Sequence, residues 1–134
     1  KLFEIKPVKP YPAKYEQCTD VAKKEKNEDV RPEIAEKVPD MENYDKVFIG
    51  YPCWWSDAPM PVYTFLEGHD MSGKTIIPFT THEGSGMTGE KHIAKVCANS
   101  KVLSGLAVTG QTAQKDAAKT EKAVDAWLAK IGMK

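Results

Sequence analysis

The chain has 134 residues, with 19 basic and 19 acidic side chains and a formal net charge of zero. This length suits one domain, residues 1–134, and the balanced charge excludes the strongly basic surface typical of nucleic-acid-binding proteins. No apolar run approaches the roughly 18 residues that a membrane span requires, and three scattered cysteines without a CxxC pair fit a protein of the reducing cytoplasm rather than a disulfide scaffold or a structural zinc site.

The N-terminal third of the chain carries weak structural signals. Residues 2–8, LFEIKPV, alternate apolar and polar side chains, which predicts an edge strand that closely spaced prolines end. The lysine-rich stretch that follows, residues 11–29, places Tyr15, Cys18 and Ala22 at helical spacing. We interpret it as a solvated helix or a long excursion.

The rest of the chain alternates buried strands with helical patterns. Apolar runs predict three buried strands, and between and after them we expect three helices, the first capped by Asp57 and the last by Thr112. Such alternation indicates βαβ units and a parallel sheet. The strands are KVFIG (46–50), TIIPFTT (75–81) and KVLSGLAVT (101–109), and the helices lie in residues 59–68, 90–98 and 112–132.

Two loops follow the first two buried strands. Residues 51–55, YPCWW, leave the first strand, because Pro52 removes a hydrogen-bond donor and biases Tyr51 toward a turn; residues 82–86, HEGSG, follow the second. The carboxyl ends of neighbouring parallel strands lie at one edge, where open α/β sheets bind ligands. Aromatic faces on one loop and glycine-exposed N–H groups on the other suit a flat heteroaromatic ring with a polar rim, such as an isoalloxazine.

Each of these loop residues also has a purely structural interpretation. We expect one of Trp54 and Trp55 to pack in the protein and the other to stack on the ligand, since large aromatics are more often buried than ligand platforms. Tyr51 suits the core equally well. Cys53 suits a small filler residue, with a redox thiol as the alternative, and His82 suits either a satisfied turn residue or a ligand contact.

Two glycine motifs match nucleotide-binding patterns without the required context. Residues 68–75, GHDMSGKT, satisfy GxxxxGK[ST], but a helix precedes them and a strand follows, which is the reverse of a phosphate loop. Residues 84–89, GSGMTG, satisfy GxGxxG, yet the next strand ends without the acidic residue of a dinucleotide site. His69 and His92 are expected on the surface, and the histidine spacing does not match the HExxH of zinc hydrolases.

The segments YDKVFIGYPCWWSDAPMPVYTFLE and SGKTIIPFTTHEGSG closely resemble the flavodoxin family, in the branch with PxWW and THxGSG loops. The similarity extends over effectively the whole chain. It implies an α/β, flavodoxin-like three-layer sandwich with a parallel sheet of order 2-1-3-4-5, FMN as cofactor, and electron transfer through the flavin edge. The first loop matches the one that covers a side of the flavin, and the second matches the one that reaches its pyrimidine rim. The candidate cofactor-binding residues are Tyr51, Pro52, Cys53, Trp54, Trp55, His82, Glu83, Gly84, Ser85 and Gly86.

Two departures from the family pattern affect what we expect. The TxTGxT phosphate loop after the first strand is missing, and LFEIKPV aligns with the second strand, so the first strand is absent from residues 1–134 and the domain is expected to be N-terminally incomplete. The gap beside KVFIG should not stay empty: LFEIKPV shifts into it, a second copy supplies a strand in a swapped dimer, or preceding residues fill it. The chain is also neutral, whereas many electron-shuttle flavodoxins are acidic.

The sequence supports two functional hypotheses. The first is an FMN-binding electron-transfer protein or small flavin oxidoreductase, whose partner is a redox protein or a small-molecule electron donor or acceptor. The alternative is a flavodoxin-fold interaction or structural module that binds no flavin. The absent phosphate loop favours the alternative, and the intact YPCWW and HEGSG loops favour the first.

Overall fold

A parallel sheet with helices on both faces forms the centre of the computed structural model, which describes residues 1–133; the last residue of the predicted domain, Lys134, lies outside them. None of the helices in these residues has the length and apolar character needed to cross a membrane. In chain order the elements are α1 (Tyr15–Asn27), a short 3₁₀ helix (Met41–Asn43), β1 (Lys46–Pro52), α2 (Met60–Glu67), β2 (Thr75–His82), α3 (Glu90–Val96), β3 (Lys101–Val102), β4 (Leu106–Thr109), α4 (Gly110–Lys115) and α5 (Ala117–Lys130).

Strand β2 lies in the middle of the sheet. Strand β1 runs parallel to it in continuous register from Lys46 opposite Thr75 to Pro52 opposite Thr81. Both β3 and β4 pair, also in parallel, with the other edge of β2. In the predicted 2-1-3-4-5 arrangement, strands 3, 4 and 5 correspond to β1, to β2, and to β3 together with β4. The observed order of these strands agrees with the predicted one.

The N-terminal segment departs from the prediction. LFEIKPV is not a strand of the sheet; it contributes one isolated antiparallel bridge between Pro7 and Ile34, flanked by a 2.8 Å hydrogen bond from the Val8 amide to the Glu33 carbonyl. The ring of Phe3 packs against that of Phe65 in α2, with 5.7 Å between centroids. Of the three ways in which the gap beside β1 could be filled, the shift of LFEIKPV into it is therefore wrong, because this segment follows the core surface outside the sheet.

The third predicted strand is divided into β3 and β4, and Pro78 explains the division. The carbonyl of Ile76 accepts from the Leu103 amide, so the backbone groups of Ile76 face the third strand. Alternate residues of a strand face the same neighbour, so Pro78 faces the third strand too. Pro78 has no N–H and cannot donate a hydrogen bond there. Pairing resumes only where Phe79 lies opposite Leu106.

The helix boundaries also differ from the predicted ones. The C-terminal helix is interrupted at Asp116, whose side chain caps α5 by accepting from the Lys119 amide. Thr109, rather than Thr112, caps α4. Helix α2 begins after Pro59 instead of being capped by Asp57. The helical character of 11–29 is confirmed by α1.

The two faces of the sheet are covered unequally. Ile49 and Ile76 lie in a core built with residues of α2 and with Ile93 of α3. On the opposite face, Trp127 of α5 contacts the rings of Phe48 and Phe79, which nevertheless remain 47% and 41% exposed. The main core thus lies under α2 and α3, on the side that anchors the loops at the carboxyl edge.

Candidate functional site

The register of β1 and β2 brings the two predicted loops together. Pro52 ends β1 directly opposite Thr81, and the Cys53 amide extends the ladder by donating to the Thr81 carbonyl at 2.9 Å. Pro52 is tolerated because alternate residues of a parallel strand bond to opposite sides, so its missing N–H faces the open edge of β1. The prediction that YPCWW leaves the strand at its carboxyl end, beside HEGSG, is confirmed.

A cleft of ≈ 380 Å³ opens between these loops. It contains five of the ten predicted residues, Pro52, Cys53, His82, Glu83 and Ser85, and two that were not predicted, Tyr15 and Thr81. Tyr15 was predicted only to lie in a solvated helix or a long excursion; it is at the start of α1 and is 81% exposed. The signal that could have identified it is an aromatic residue directly after a proline-rich segment, at a helix start.

Cys53 connects the two loops. Its Sγ lies 3.2 Å from Ser85 Oγ, and Thr88 Oγ1 donates to the same sulfur at 3.2 Å. The Tyr51 hydroxyl adds a third link, donating to the Thr88 carbonyl at 2.7 Å. Tyr51 is buried in the core, and burial raises the pKa of its hydroxyl, so it is a neutral donor that holds the loops together.

His82 holds the HEGSG loop in its conformation. Its Nδ1 accepts hydrogen bonds from the backbone amides of Gly84 at 2.9 Å and Gly86 at 3.1 Å. Gly84 and Gly86 have φ values of 123° and 75°, in the region where side chains are strained. Glycine is therefore required here for backbone conformation, and the two N–H groups expected to face a ligand are bonded to the histidine.

Neither indole lines the cleft. Trp54 and Asp57 close a tight turn through paired backbone hydrogen bonds of 2.8 and 3.2 Å, with Trp55 and Ser56 at φ values of 53° and 60°. Two positive φ values in succession define a type I′ turn, which turns the chain toward α1. Trp54 packs edge-on against Tyr11 at 5.0 Å.

Trp55 is held by α1. Its Nε1 donates to the Thr19 carbonyl at 2.9 Å, and Lys23 Nζ lies 5.1 Å from the ring centroid. Both indoles therefore make protein contacts, whereas we expected one to stack on the ligand. The exposed aromatic ring at the cleft belongs to Tyr15 instead.

Asp57 forms a buried polar cluster behind the YPCWW loop. Its Oδ1 accepts from the Ala58 amide at 2.7 Å and from the Tyr63 hydroxyl, and its Oδ2 lies 2.7 Å from His92 Nδ1. The rings of His92 and Tyr63 stack with 3.9 Å between centroids. Burial, followed by the hydrogen bond to Asp57, raises the pKa of Tyr63.

This cluster corrects the prediction that His92 is a surface residue. It connects the loop after β1 to α2 through Tyr63 and to α3 through His92. The only sequence signal was an acidic residue just before the α2 prolines, which we interpreted as a helix cap. Its actual role depends on tertiary contacts that spacing does not reveal.

The phosphate-loop match lies at the opposite edge of the sheet. Lys74 precedes β2, and its Nζ donates to the carbonyls of Met41 at 2.9 Å and of Tyr44, so it closes the 3₁₀ helix rather than facing solvent. The side chain of His69, also predicted to be exposed, is likewise engaged, accepting from the Val38 amide at 3.0 Å. The helix-then-strand context that argued against a nucleotide site is confirmed.

Comparison with known proteins identifies the family. A family model described as flavodoxin matches residues 1–131. A search of curated proteins finds no match.

Several solved structures share the fold. A candidate flavoprotein from Bacteroides eggerthii is 32% identical, with a TM-score of 0.80, and the match covers 98% of this chain and 81% of that one. A second, from Bacteroides uniformis, is 28% identical, with a TM-score of 0.75 over 95% of this chain and 80% of its own. A flavoprotein from Lactobacillus acidophilus, solved in complex with FMN, is 23% identical, with a TM-score of 0.66 over 83% of this chain and 76% of its own.

Proposed function

Because this chain belongs to the flavodoxin family, we propose that it binds the flavin of FMN in the cleft between YPCWW and HEGSG and transfers electrons through it. The observation that carries the proposal is the register that ends β1 and β2 side by side, with Pro52 opposite Thr81. That register places both loops at the carboxyl edge, where this class of sheet binds cofactors.

The cleft fits the ring system of a flavin. Its volume of ≈ 380 Å³ lies within the range of about 300 to 1,000 Å³ for small-molecule sites. The Tyr15 ring offers an aromatic face, and Thr81, His82 and Ser85 offer polar groups around it. These groups match a planar heteroaromatic molecule with hydrogen-bonding edges.

The cleft does not fit the phosphate of FMN equally well. Among the described residues, those that line it include no lysine or arginine. Within the described part of the lining, Glu83 is the one charged group, and its carboxylate lies against Gly110, where an added Cβ would come within 2.3 Å of Oε1. We therefore expect these residues to recognise the ring and to contribute little to phosphate binding.

A bound flavin supplies one- or two-electron transfer, which no ordinary side chain provides. The chain's own residues would bind and orient the ring. The Cys53 links to Ser85 and Thr88 fix the distance between the two loops, and Pro52 forms an apolar wall. The redox partner would be a protein or a small-molecule donor or acceptor in the cytoplasm. The FMN complex of the Lactobacillus acidophilus flavoprotein supports this proposal.

Two matched substitutions test the proposal. Ser85 lines the cleft and Ser72 lies at the opposite edge of the sheet, and both are exposed. Ser85→Phe should obstruct the cleft, whereas Ser72→Phe adds the same ring where no flavin is expected. Calorimetric titration with FMN should show weaker binding for Ser85→Phe alone. Equal affinities for both variants and the parent would contradict the assignment of the site.

One observation favours the flavin-free alternative. Phe48 and Phe79 leave an apolar surface on the face that α5 covers only in part. Exposed apolar surface of this kind is typical of interaction sites. If neither FMN nor riboflavin binds a chain that is shown to be folded by its far-ultraviolet circular dichroism, the interaction module is the better account.

A further inference from the structure

The tautomer of His82 is fixed by its surroundings. Backbone amides can only donate, and those of Gly84 and Gly86 both point at Nδ1, at 2.9 and 3.1 Å. Nδ1 must therefore accept and carry no proton. In a neutral imidazole the proton then resides on Nε2, which makes that atom a donor.

The other ring nitrogen is free for a ligand. No hydrogen bond to Nε2 of His82 occurs within residues 1–133, and the residue lines the cleft. We propose that His82 acts as a fixed donor: Nδ1 holds the HEGSG loop in shape while Nε2–H selects ligands that present a hydrogen-bond acceptor to the cleft. Building on the proposed function, the acceptor is a carbonyl or ring nitrogen on the polar rim of the flavin.

His69 provides an internal control, because its hydrogen bonds require the opposite tautomer. The Val38 amide donates to His69 Nε2 at 3.0 Å, and His69 Nδ1 lies 2.7 Å from the Phe65 carbonyl, to which it must donate. The two histidines should therefore be distinguishable in one experiment on one sample.

Nuclear magnetic resonance of the ¹⁵N-labelled chain without ligand tests the loop role directly. For His82 we expect Nδ1 to have the shift of an unprotonated nitrogen and to show scalar couplings across hydrogen bonds to the amides of Gly84 and Gly86. For His69 the unprotonated nitrogen should be Nε2. A proton on Nδ1 of His82 in the neutral protein would overturn the proposal.

Two variants of His82 separate the loop role from the ligand role. In His82→Asn the side-chain oxygen takes the place of Nδ1, so the loop amides keep their acceptor, while the donor at the position of Nε2 is lost. In His82→Gln the longer side chain places its amide group at the position of Nε2, and the acceptor at the position of Nδ1 is lost. The amide resonances of Gly84 and Gly86 should therefore stay near their parent positions in the first variant and shift in the second.

Titration with riboflavin tests the donor role. His82→Asn should weaken binding by about two- to tenfold at neutral pH, the effect of one hydrogen bond. His69→Asn should bind riboflavin as tightly as the parent, because His69 lies outside the cleft. Equal affinity of parent and His82→Asn would overturn the donor role. If the parent binds no flavin, the proposed function and the donor role both fall, while the loop role is still decided by the ligand-free spectra.

Discussion

Asp57 shows how a single buried carboxylate organises the loop region. It is 6% exposed and has hydrogen-bonding partners in three places: its own turn, α2 and α3. A buried charge is tolerated only when its hydrogen bonds are satisfied. Removal of the carboxylate would leave the Tyr63 hydroxyl and the Ala58 amide without their acceptor, and unpaired buried groups are costly.

Asp57→Ala should therefore lower the free energy of unfolding by about 2 to 4 kcal/mol. Chemical denaturation followed by circular dichroism measures this. Asp20→Ala, in the exposed part of α1, is the matched control and should keep the parent midpoint. A parent-like midpoint for Asp57→Ala would show that the cluster contributes little to stability.

At alkaline pH, ionisation of tyrosine side chains should destabilise the folded protein. Burial raises the pKa of Tyr11, Tyr51 and Tyr63, so each stays neutral in the folded chain at a pH where the unfolded chain ionises it. The stability they provide is fully present below the unfolded pKa of about 10 and is lost as the pH rises above it. Tyrosinate absorbance should show these three groups ionising only together with unfolding; their ionisation in a chain with native circular dichroism would contradict the assignment.

At the scale of elements, Pro78 and Gly105 shape the third strand. Pro78 has no backbone N–H, so it cannot donate a hydrogen bond at the edge of β2 that pairs with β3 and β4. The chain bends between β3 and β4 opposite this residue. Gly105 lies in the bend. An added Cβ there would meet Met87 Cε at 2.4 Å and the Pro78 carbonyl oxygen at 2.9 Å, which is closer than real side chains approach.

Gly105→Ala should accordingly destabilise the fold by about 1 to 3 kcal/mol, the usual cost of overpacking. Ser104→Ala is the neighbouring control and should be near neutral, because Ser104 is exposed and contributes its backbone carbonyl to Trp127. Combining Gly105→Ala with Met87→Ala should recover only part of the loss, since the clash with the Pro78 backbone remains. Thermal unfolding of the three variants measures these effects, and no loss in Gly105→Ala would refute the packing account.

Sequence patterns were informative where local chemistry decides the structure. Apolar runs predicted β1 and β2, and their parallel pairing placed Pro52 beside Thr81. The orientation of the tryptophans was not predictable, because the turn that redirects them places Trp55 and Ser56 at positive φ, which neither residue type favours. The strand predicted at LFEIKPV failed because alternation over seven residues does not show whether a partner strand is adjacent.

At the scale of the whole molecule, β1 is an open edge of the sheet. The backbone groups of Phe48 and Gly50 face away from β2, and no strand pairs with them within residues 1–133. The Phe48 ring is half-exposed beside this edge.

The cleft at the carboxyl end of β1 lacks a basic side chain among its described lining residues. The flavin ring, rather than the phosphate, should therefore determine the affinity of these 134 residues for FMN.

FMN and riboflavin should then bind this chain with dissociation constants within about threefold of each other, since even one charge-assisted hydrogen bond to the phosphate would give about tenfold or more. Calorimetric titrations at one ionic strength compare the two ligands. A clear preference for FMN would reveal a phosphate site that the cleft's lining residues do not provide.

The central claim is that flavin binds between YPCWW and HEGSG, and amide shift mapping with riboflavin tests it most directly. The account predicts the largest changes in the ¹H–¹⁵N spectrum at Tyr15, Cys53, Thr81, Glu83 and Ser85, with Ser72 and Lys74 at the opposite edge unchanged. Changes concentrated at Ser72 and Lys74, or a spectrum that saturating riboflavin leaves unaltered, would contradict it.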